Sequence, residues 1–226
     1  MTHNHKIILN KDSAADGIIF DVDGTLWDST EQVAASWTQA IRANSDFNMN
    51  LTGEGIKCHF GKTMDAITAA LFPSLSLKDR EELGNICFEY ENAYLADHPG
   101  ILFPHVREVF ELLSEKFDLY IVSNCQCGYI EVFLKSTGLG SYIKDHLCFG
   151  RTLRPKNETI RLLMEKHHLE KVVYVGDTLG DFDACRKADI PFIFAEYGFG
   201  NAPEAEIRIK DMAELPALLL NSRKVD

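Results

Sequence analysis

Short runs of consecutive hydrophobic residues recur along this chain, and longer segments with hydrophobic residues at helical spacing separate them. The short runs, bounded by turn residues, are typical of buried strands, whereas the longer segments are typical of amphipathic helices. Strands that alternate with helices predict an α/β fold, here a Rossmann-like parallel sheet with right-handed crossovers. The predicted strands span residues 17–21, 119–122, 147–149, 172–175 and 191–194.

Two of the helices predicted between and after these strands begin with a polar residue that suits a helix N-cap. Asn157 precedes a segment with Ile160 and Leu163 at helical spacing, and Asp211 precedes a short final helix. The other helices of this part of the chain are predicted at 106–115, 129–136 and 181–188.

Residues 27–97 carry only helical patterns and contain no predicted strand. Ser29 and Gln32 resemble a capping box at the start of a first helix. A second helix is predicted at 63–72. A third begins at Ser76, and its hydrophobic positions are Leu83, Ile86, Cys87, Tyr90 and Tyr94.

This helical block interrupts the α/β pattern directly after the first strand and divides the chain into two predicted domains. Residues 1–26 and 98–226 form the α/β core, and residues 27–97 form an inserted all-helical cap. Trp27 and Trp37 are predicted to be packing residues. A block inserted beside the end of a strand is suited to cover a site there, exclude water and select substrates.

Two carboxylates stand where the first predicted strand ends. Asp21 and Asp23 are separated by one residue, and Gly24 follows them and lets the backbone turn sharply. The carboxyl ends of parallel strands form the edge at which open α/β sheets bind ligands. One carboxylate can act as a nucleophile and the other can carry a proton, which suits an aspartyl-phosphate intermediate.

Three further segments place polar residues at the same predicted edge. Ser123 and Asn124 follow one strand, and Asp177 and Asp181 follow another. Between them, Lys156 stands at the head of a helix. Phosphoryl transfer needs a nucleophile, a metal anchor and groups that neutralise the phosphoryl oxygens, and this set supplies all three.

In order along the chain, these segments resemble the four motifs of the haloacid dehalogenase superfamily of phosphohydrolases. Asp-x-Asp-Gly-Thr-Leu resembles the first motif, Ser123 the second, Lys156 the third, and Gly-Asp-x-x-x-Asp the fourth. The residues directly after the first motif are most similar to the phosphoglycolate phosphatase-like group with a helical cap. The resemblance covers residues 17–26 and 98–200.

The resemblance implies a role for each residue and a Mg²⁺ cofactor, an ion that prefers oxygen ligands and keeps several waters. Asp21 would attack phosphorus and become the aspartyl phosphate. Asp23 would protonate the leaving alcohol and then activate water, and its backbone carbonyl would join the metal shell. Lys156 would hold the charges of the nucleophile and phosphate in register, and Thr25 would steady the turn. The implied metal residues are Asp21, Asp23, Asp177 and Asp181, and the implied phosphate-binding residues are Ser123, Asn124 and Thr25.

One departure from the family pattern concerns the cation of the third motif. Many close relatives carry Lys-Pro there, whereas this chain has Arg154-Pro155-Lys156. Either cation could occupy the site. Lys156 is favoured because it directly precedes the predicted cap Asn157, and because a compact ammonium suits the role of a point charge.

Several functions share parts of this pattern. Hydrolytic dehalogenases and phosphonate-cleaving enzymes of the superfamily do not use the second acid, so Asp23 argues against both. The main prediction is a phosphatase that hydrolyses a small phosphorylated metabolite, either phosphoglycolate-like or a sugar phosphate. The alternatives are a phosphomutase of the β-phosphoglucomutase type and a non-catalytic phosphate-binding or regulatory protein. A response-regulator receiver would carry its phosphoacceptor after a later strand and would lack the helical insertion.

The composition limits the partners and the location. With 23 basic and 34 acidic residues the net charge is -11, which argues against a nucleic-acid partner. No apolar segment is long enough to cross a bilayer, and the apolar run near the N-terminus is too short for a secretory signal. We therefore expect a cytoplasmic protein without a membrane partner, either a monomer or a homodimer.

Some residues stay outside this scheme. The six cysteines form no disulfide framework, but an exposed, low-pKa Cys125 could make the activity redox-sensitive. His59 and Lys62 could contact substrate or belong to a solvated helix start. The segment 197–200 could border the active edge or be a plain glycine-rich loop. Residues 7–9 could add an edge strand or belong to a loose arm.

Overall fold

The computed structural model describes residues 15–220, and its central feature is a six-stranded, fully parallel sheet. The strands in chain order are β1 (Gly17–Phe20), β2 (Trp27–Asp28), β3 (Ile101–Leu102), β4 (Asp118–Ser123), β5 (Ile143–Cys148), β6 (Val172–Gly176), β7 (Phe192–Ala195) and β8 (Ile207–Ile209). The sheet has the order β5-β4-β1-β6-β7-β8, which confirms the predicted Rossmann-like α/β fold.

Helices cover the sheet and make up most of the chain between β1 and β4, the first two strands of the sheet in chain order. In chain order they are α1 (Thr30–Asn44), α2 (Gly53–Lys57), α3 (Met64–Leu71), α4 (Leu77–Asp97), α5 (Val106–Ser114), α6 (Tyr129–Thr137), α7 (Phe149–Thr152), α8 (Lys156–His167), α9 (Leu179–Ala188) and α10 (Leu215–Leu220). Two 3₁₀ turns span Gly140–Tyr142 and Met212–Glu214. None of the described helices combines the length and the apolar character that a membrane span requires.

The central strand β1 is buried on both faces. Ile18 and Phe20 belong to the larger hydrophobic cluster on one side of the sheet, and Ile19 belongs to the smaller cluster on the other. In the parallel register Phe20 lies beside Ile121 of β4 and Val175 of β6. The three strands therefore end at the same level, and the residues that follow them meet at one edge of the sheet.

The helical segment differs from the prediction in several details. Trp27 begins β2, which pairs antiparallel with β3, so this part of the chain is not free of strands. The five-residue α2 was not predicted. On α4, Tyr90 is 41% exposed and Glu91 is buried, so the predicted hydrophobic face was wrong at this point. Thr63 and Ser76 take the N-cap positions of α3 and α4, as the predicted helix starts imply.

Three predictions about the core also need correction. The strand β7 is not the last, because β8 pairs with its outer edge. The strand β5 is longer than predicted, and Phe149 begins α7 instead of ending the strand. Asn157 lies inside the first turn of α8, whose N-cap position is Pro155, whereas Asp211 does cap a 3₁₀ turn before α10. The additional strand considered at 7–9 lies outside the described residues.

Candidate active site

The predicted site residues meet at the carboxyl edge of the sheet. Asp21 directly follows β1, Ser123 ends β4, and Asp177 directly follows β6. The backbone N–H of Asp21 donates to the carbonyl of Val175 over 2.9 Å, so the parallel pairing extends into the site. All three side chains are buried, and each owes its place to a strand end.

A sharp turn at Gly24 brings the first motif against the fourth. Gly24 has a φ of +78°, and a Cβ atom there would lie 2.2 Å from Asp177 Oδ2. Thr25 Oγ1 donates to Asp177 Oδ1 over 3.3 Å and so links the turn to the fourth motif. Only a residue without a side chain allows this close approach.

Lys156 is the cation that the structure brings to the site. Its Nζ lies 2.5 Å from Asp181 Oδ1 and 3.1 Å from Asp21 Oδ1, and its side chain is buried. Burial by itself would lower the pKa of Lys156, but Asp181 and Asp21 raise it above its usual value. Arg154 is exposed. Of the two candidates for the third motif, only Lys156 therefore contacts the carboxylates.

Three carboxylates share this small volume. Oxygen atoms of Asp21, Asp177 and Asp181 all lie within 4.8 Å of one another. Burial raises the pKa of Asp21 to about 6 although Lys156 opposes the shift, and burial with the neighbouring Asp181 raises that of Asp177 well above its usual value. Asp21 Oδ1 is buried without a hydrogen-bond partner of suitable geometry. One lysine does not balance three buried carboxylates, so the cluster suits a divalent cation.

Asp181 has both carboxylate oxygens engaged. Its Oδ1 faces Lys156, and its Oδ2 accepts hydrogen bonds from the backbone N–H and the hydroxyl of Thr178 over 3.0 and 2.6 Å. Thr178 is the N-cap of α9, and the two residues form a capping box. The helix therefore begins before residue 181, where its predicted range starts, and Asp181 lies in its first turn. Its carboxylate joins the helix start to the lysine.

The segment 197–200 borders the active edge, which decides between its two interpretations. Backbone N–H groups of Phe199 and Gly200 donate to Asp177 Oδ2 over 2.8 and 3.2 Å. A Cβ atom at Gly198 would lie 2.3 Å from Asp177 Cβ. The loop therefore holds Asp177 in place through its backbone.

Asp23 is held by three donors that converge on one oxygen. Trp27 Nε1 and Ser29 Oγ each donate to Asp23 Oδ1 over 3.0 Å, and the Tyr129 hydroxyl donates over 2.5 Å. Ser29 takes the N-cap position of α1, but its hydroxyl donates to Asp23 and makes no cap hydrogen bond, so the predicted capping box with Gln32 is wrong. Trp27 is buried as predicted, and its indole N–H also donates a hydrogen bond to Asp23.

The environment of Asp23 suits proton transfer. Burial raises its pKa to about 7, against the opposing hydrogen bond from Tyr129. An acid with a pKa near the working pH can both donate and accept a proton. The second oxygen, Oδ2, accepts no hydrogen bond from residues 15–220, and Asp23 lines the cavity above the sheet edge.

That cavity lies between the sheet edge and the helical segment. Ser123 and Asn124 line it from the sheet side, although the Asn124 amide donates to the carbonyl of Gly61 over 2.8 Å and so also contacts the helical segment. His59 and Lys62 line it, as one of their two interpretations suggested. Further lining residues that the sequence did not indicate are Ile56, Met64, Ile67, Glu91, Gln126 and Tyr129.

Cys125 does not have the properties that a redox-sensitive thiol requires. It is 7% exposed, and burial raises its pKa well above the usual value. Cys127 is exposed, but its pKa is raised as well. The hypothesis of an exposed, low-pKa Cys125 is therefore wrong.

Fold and site together define an α/β enzyme whose buried carboxylates suit nucleophilic and acid–base chemistry and the binding of a cation. The chain belongs to the haloacid dehalogenase-like hydrolase family, whose model matches residues 18–195. The predicted resemblance is confirmed.

Comparisons with individual proteins agree with the family assignment. The chain is 27% identical over 199 residues to phosphoglycolate phosphatase of Vibrio parahaemolyticus serotype O3:K6, covering 81% of this chain and 85% of that protein. It is 26% identical over 229 residues to phosphoserine phosphatase of Bos taurus, covering 93% and 92%. A solved structure of a predicted phosphatase from Clostridium acetobutylicum is similar with a TM-score of 0.76 at 19% identity, covering 92% of this chain and 100% of that one. The predicted enzyme class, a phosphoric monoester hydrolase, is confirmed, whereas the two relatives are named for different substrates.

Proposed function

We propose that the protein is a Mg²⁺-dependent phosphatase that hydrolyses a small phosphorylated metabolite through an aspartyl-phosphate intermediate. One observation carries the proposal. Asp21 lines the cavity at the end of β1, its Oδ1 lies 3.1 Å from Lys156 Nζ, and its carboxylate belongs to a buried cluster with Asp177 and Asp181. Three buried carboxylates beside one lysine are costly unless a metal ion or a reacting group uses them.

The carboxylates of Asp21, Asp177 and Asp181 fit a magnesium ion. Mg²⁺ prefers oxygen ligands and needs only one or two carboxylates beside its waters and the substrate phosphate. Asp21 and Asp177 would hold the ion with the backbone carbonyl of Asp23, and Asp181 would complete the carboxylate set while it anchors Lys156. When bound, the ion would neutralise charge on the phosphoryl oxygens and on the nucleophile.

The side chains of the site can then carry out two displacements. In the first, a carboxylate oxygen of Asp21 attacks phosphorus, the ester P–O bond breaks, and Asp23 donates its proton to the leaving alcohol oxygen. In the second, Asp23 takes a proton from water, which attacks the aspartyl phosphate and releases inorganic phosphate with the free Asp21 carboxylate. Lys156, Ser123 and Asn124 supply positive charge and hydrogen bonds to the phosphoryl oxygens throughout.

We further propose that residues 27–97 act as a cap domain on a core of residues 1–26 and 98–226. The cavity is bounded on one side by the strand ends and on the other by His59, Lys62 and Glu91 of the helical segment. Closing such a site would exclude water other than the hydrolytic one and would place the choice of the leaving group in the cap.

Hydrolysis of a generic aryl phosphate tests the chemistry. The wild-type protein should turn over with Mg²⁺, and turnover should disappear with EDTA and in Asp21→Asn, which keeps the size of the side chain. Asp183→Asn, on the exposed side of α9, is the matched control and should retain full activity. Substantial turnover by Asp21→Asn at an unchanged melting temperature would overturn the assignment of the nucleophile.

A further inference from the structure

A glutamate interrupts the buried ridge of α4. The buried residues of this helix at successive i+4 positions are Leu83, Cys87, Glu91 and Leu95. Glu91 is 5% exposed, whereas Glu89 on the same helix is exposed. Carboxylates are almost never fully buried unless they are paired, so this position needs an explanation.

Glu91 has hydrogen-bond donors but no cation. Its Oε2 accepts from Trp37 Nε1, and its Oε1 accepts from Gln126 Nε2 over 3.0 Å. Within residues 15–220 it forms no ion pair. A carboxylate offers about four acceptor sites, so the two donors leave room for further hydrogen bonds.

This arrangement does not serve stability. Removing a carboxylate from water without a cationic partner is unfavourable, and a hydrophobic residue of similar volume would fill the ridge at lower cost. Burial raises the pKa of Glu91 to about 7 despite its two donors. A buried acid that lines a cleft and has a strongly shifted pKa is a candidate for ligand recognition.

Glu91 also faces the reaction centre. It lines the same cavity as Asp21, Asp23 and Ser123, and it is among the charged groups that act on Asp23. A phosphoryl group beside Asp21 would therefore direct the alcohol part of its ester toward the helical segment. His59 lines this region too, and its Nδ1 is buried without a hydrogen-bond partner. Glu91 and His59 can thus both form a further hydrogen bond, and the leaving group is within the cavity that they line.

We propose that Glu91 is a specificity-determining residue that accepts a hydrogen bond from a hydroxyl group of the leaving alcohol. This inference rests on the proposed phosphatase function and names its substrate class: short polyol or sugar phosphates. An ester with a carboxylate on the leaving group, as in phosphoglycolate, would meet the like charge of Glu91. An ester with an ammonium group would be attracted by Glu91 but repelled by Lys62, which lines the same cavity. A neutral hydroxylated group satisfies Glu91 and the free nitrogen of His59 without either conflict.

Binding to the Asp21→Asn variant and turnover by the Asp21-containing protein test the proposal together. The probes are glycerol 3-phosphate, phosphoglycolate and phosphoethanolamine, which present hydroxyl, carboxylate and ammonium groups of similar size. Each is measured by calorimetry with Mg²⁺ in Asp21→Asn and by phosphate release in the parent protein, with and without Glu91→Gln. Glu89→Gln on the same helix is the matched control.

We expect glycerol 3-phosphate to bind and react best, and Glu91→Gln to lower the ratio of its kcat/KM to that of phosphoglycolate by about tenfold or more. The loss should lie mainly in KM, and Glu89→Gln should leave the ratio unchanged. An unchanged ratio in Glu91→Gln, or a wild-type preference for phosphoglycolate or phosphoethanolamine, would overturn the proposal. If no ester is hydrolysed, the proposed function fails, and the ratio of the dissociation constants still decides the role of Glu91.

Discussion

The hydroxyl of Tyr129 lies 2.5 Å from Oδ1 of Asp23, although the two residues are 106 positions apart in the chain. Tyr129 is the first residue of α6, and it is 1% exposed. Its ring packs edge-on against Trp27 at a centroid distance of 5.8 Å, so two of the three donors to Asp23 support each other. A helix start on the core thus positions the proposed acid and base.

Replacing Tyr129 with Phe should reduce kcat by about 10- to 100-fold, because it removes one charge-assisted hydrogen bond from Asp23 and keeps the ring. KM should change much less, since the hydroxyl is engaged by Asp23 and Ser29. Steady-state kinetics on an aryl phosphate would measure both values. Tyr90→Phe, at an exposed position of α4, is the control. A kcat within twofold of wild type in Tyr129→Phe would contradict this role.

Lys156→Ala should abolish measurable turnover and lower the free energy of unfolding by about 3–5 kcal/mol, because it leaves buried carboxylates without their cation. Arg154→Ala should change both quantities little, since Arg154 is exposed. Kinetics combined with urea unfolding would separate the two effects. If Arg154→Ala were the more damaging change, the assignment of the third motif to Lys156 would be wrong.

Gly24→Ala should cost about 100-fold in activity, because a Cβ atom 2.2 Å from Asp177 Oδ2 must displace that carboxylate. Gly138 provides a matched control, since it also has a positive φ, of +70°, but its nearest neighbour for a Cβ atom lies at 4.0 Å. Gly138→Ala should therefore show only the cost of the backbone conformation, about 1 kcal/mol, with normal kinetics. Equal activity losses in the two variants would contradict the steric argument.

Mg²⁺ should raise the melting temperature of the wild-type protein, by about 5–10 °C at a concentration 100 times the dissociation constant. Asp177→Asn should lose most of this increase, and without the ion it should melt at a higher temperature than wild type because like charges are removed. Asp183→Asn should respond as wild type does. Thermal unfolding with and without EDTA measures the difference. A full response to Mg²⁺ in Asp177→Asn would place the ion elsewhere.

Glu91→Gln should become increasingly stable relative to wild type as the pH rises from about 5 to 8. Burial raises the pKa of Glu91 from 4.5 to about 7, so in this range the unfolded chain has lost a proton that the folded protein keeps. The folded state of the wild type is thus favoured at low pH and loses stability as the pH rises, by up to about 3 kcal/mol.

Urea unfolding of Glu91→Gln at several pH values tests this expectation, with Glu89→Gln as the control that should show no such trend. The titratable neighbours of Glu91 are Cys87 on its own helix and Asp23 and Tyr129 on the core, and none of them carries a positive charge. A stability difference independent of pH would show that Glu91 titrates normally.

The residues at the sheet edge were predictable because each of them directly follows the hydrophobic run that forms its strand. Asp21, Ser123 and Asp177 each follow a hydrophobic run, and the parallel register of β1, β4 and β6 brings them together without further information. The choice between Lys156 and Arg154 was open in the sequence. The tertiary structure decided it, because Lys156 is the first residue of α8 and reaches the carboxylates, whereas Arg154 precedes the helix and is exposed.

Other features depended on contacts between distant segments. Ser29 has the sequence environment of a helix cap, but its hydroxyl has a stronger partner in the carboxylate of Asp23. The loop 197–200 carries no functional side-chain pattern, because it contacts Asp177 through backbone N–H groups that every residue except proline possesses. Glu91 did leave a signal, a charged residue at an i+4 position in a hydrophobic ridge, but only the tertiary structure showed that it bonds to Trp37 and Gln126 and lines the cavity.

By itself, the sequence determined the α/β fold, the family resemblance and the proposed reacting groups, because each depends on residue types at short spacings along one strand end or one helix start. Only the tertiary structure decided which partners hold Asp23, which cation reaches Asp21 and what lines the far side of the cavity. These depend on distances across segments more than 100 residues apart, such as the contact of Tyr129 with Asp23, and hydrophobic periodicity does not encode such distances.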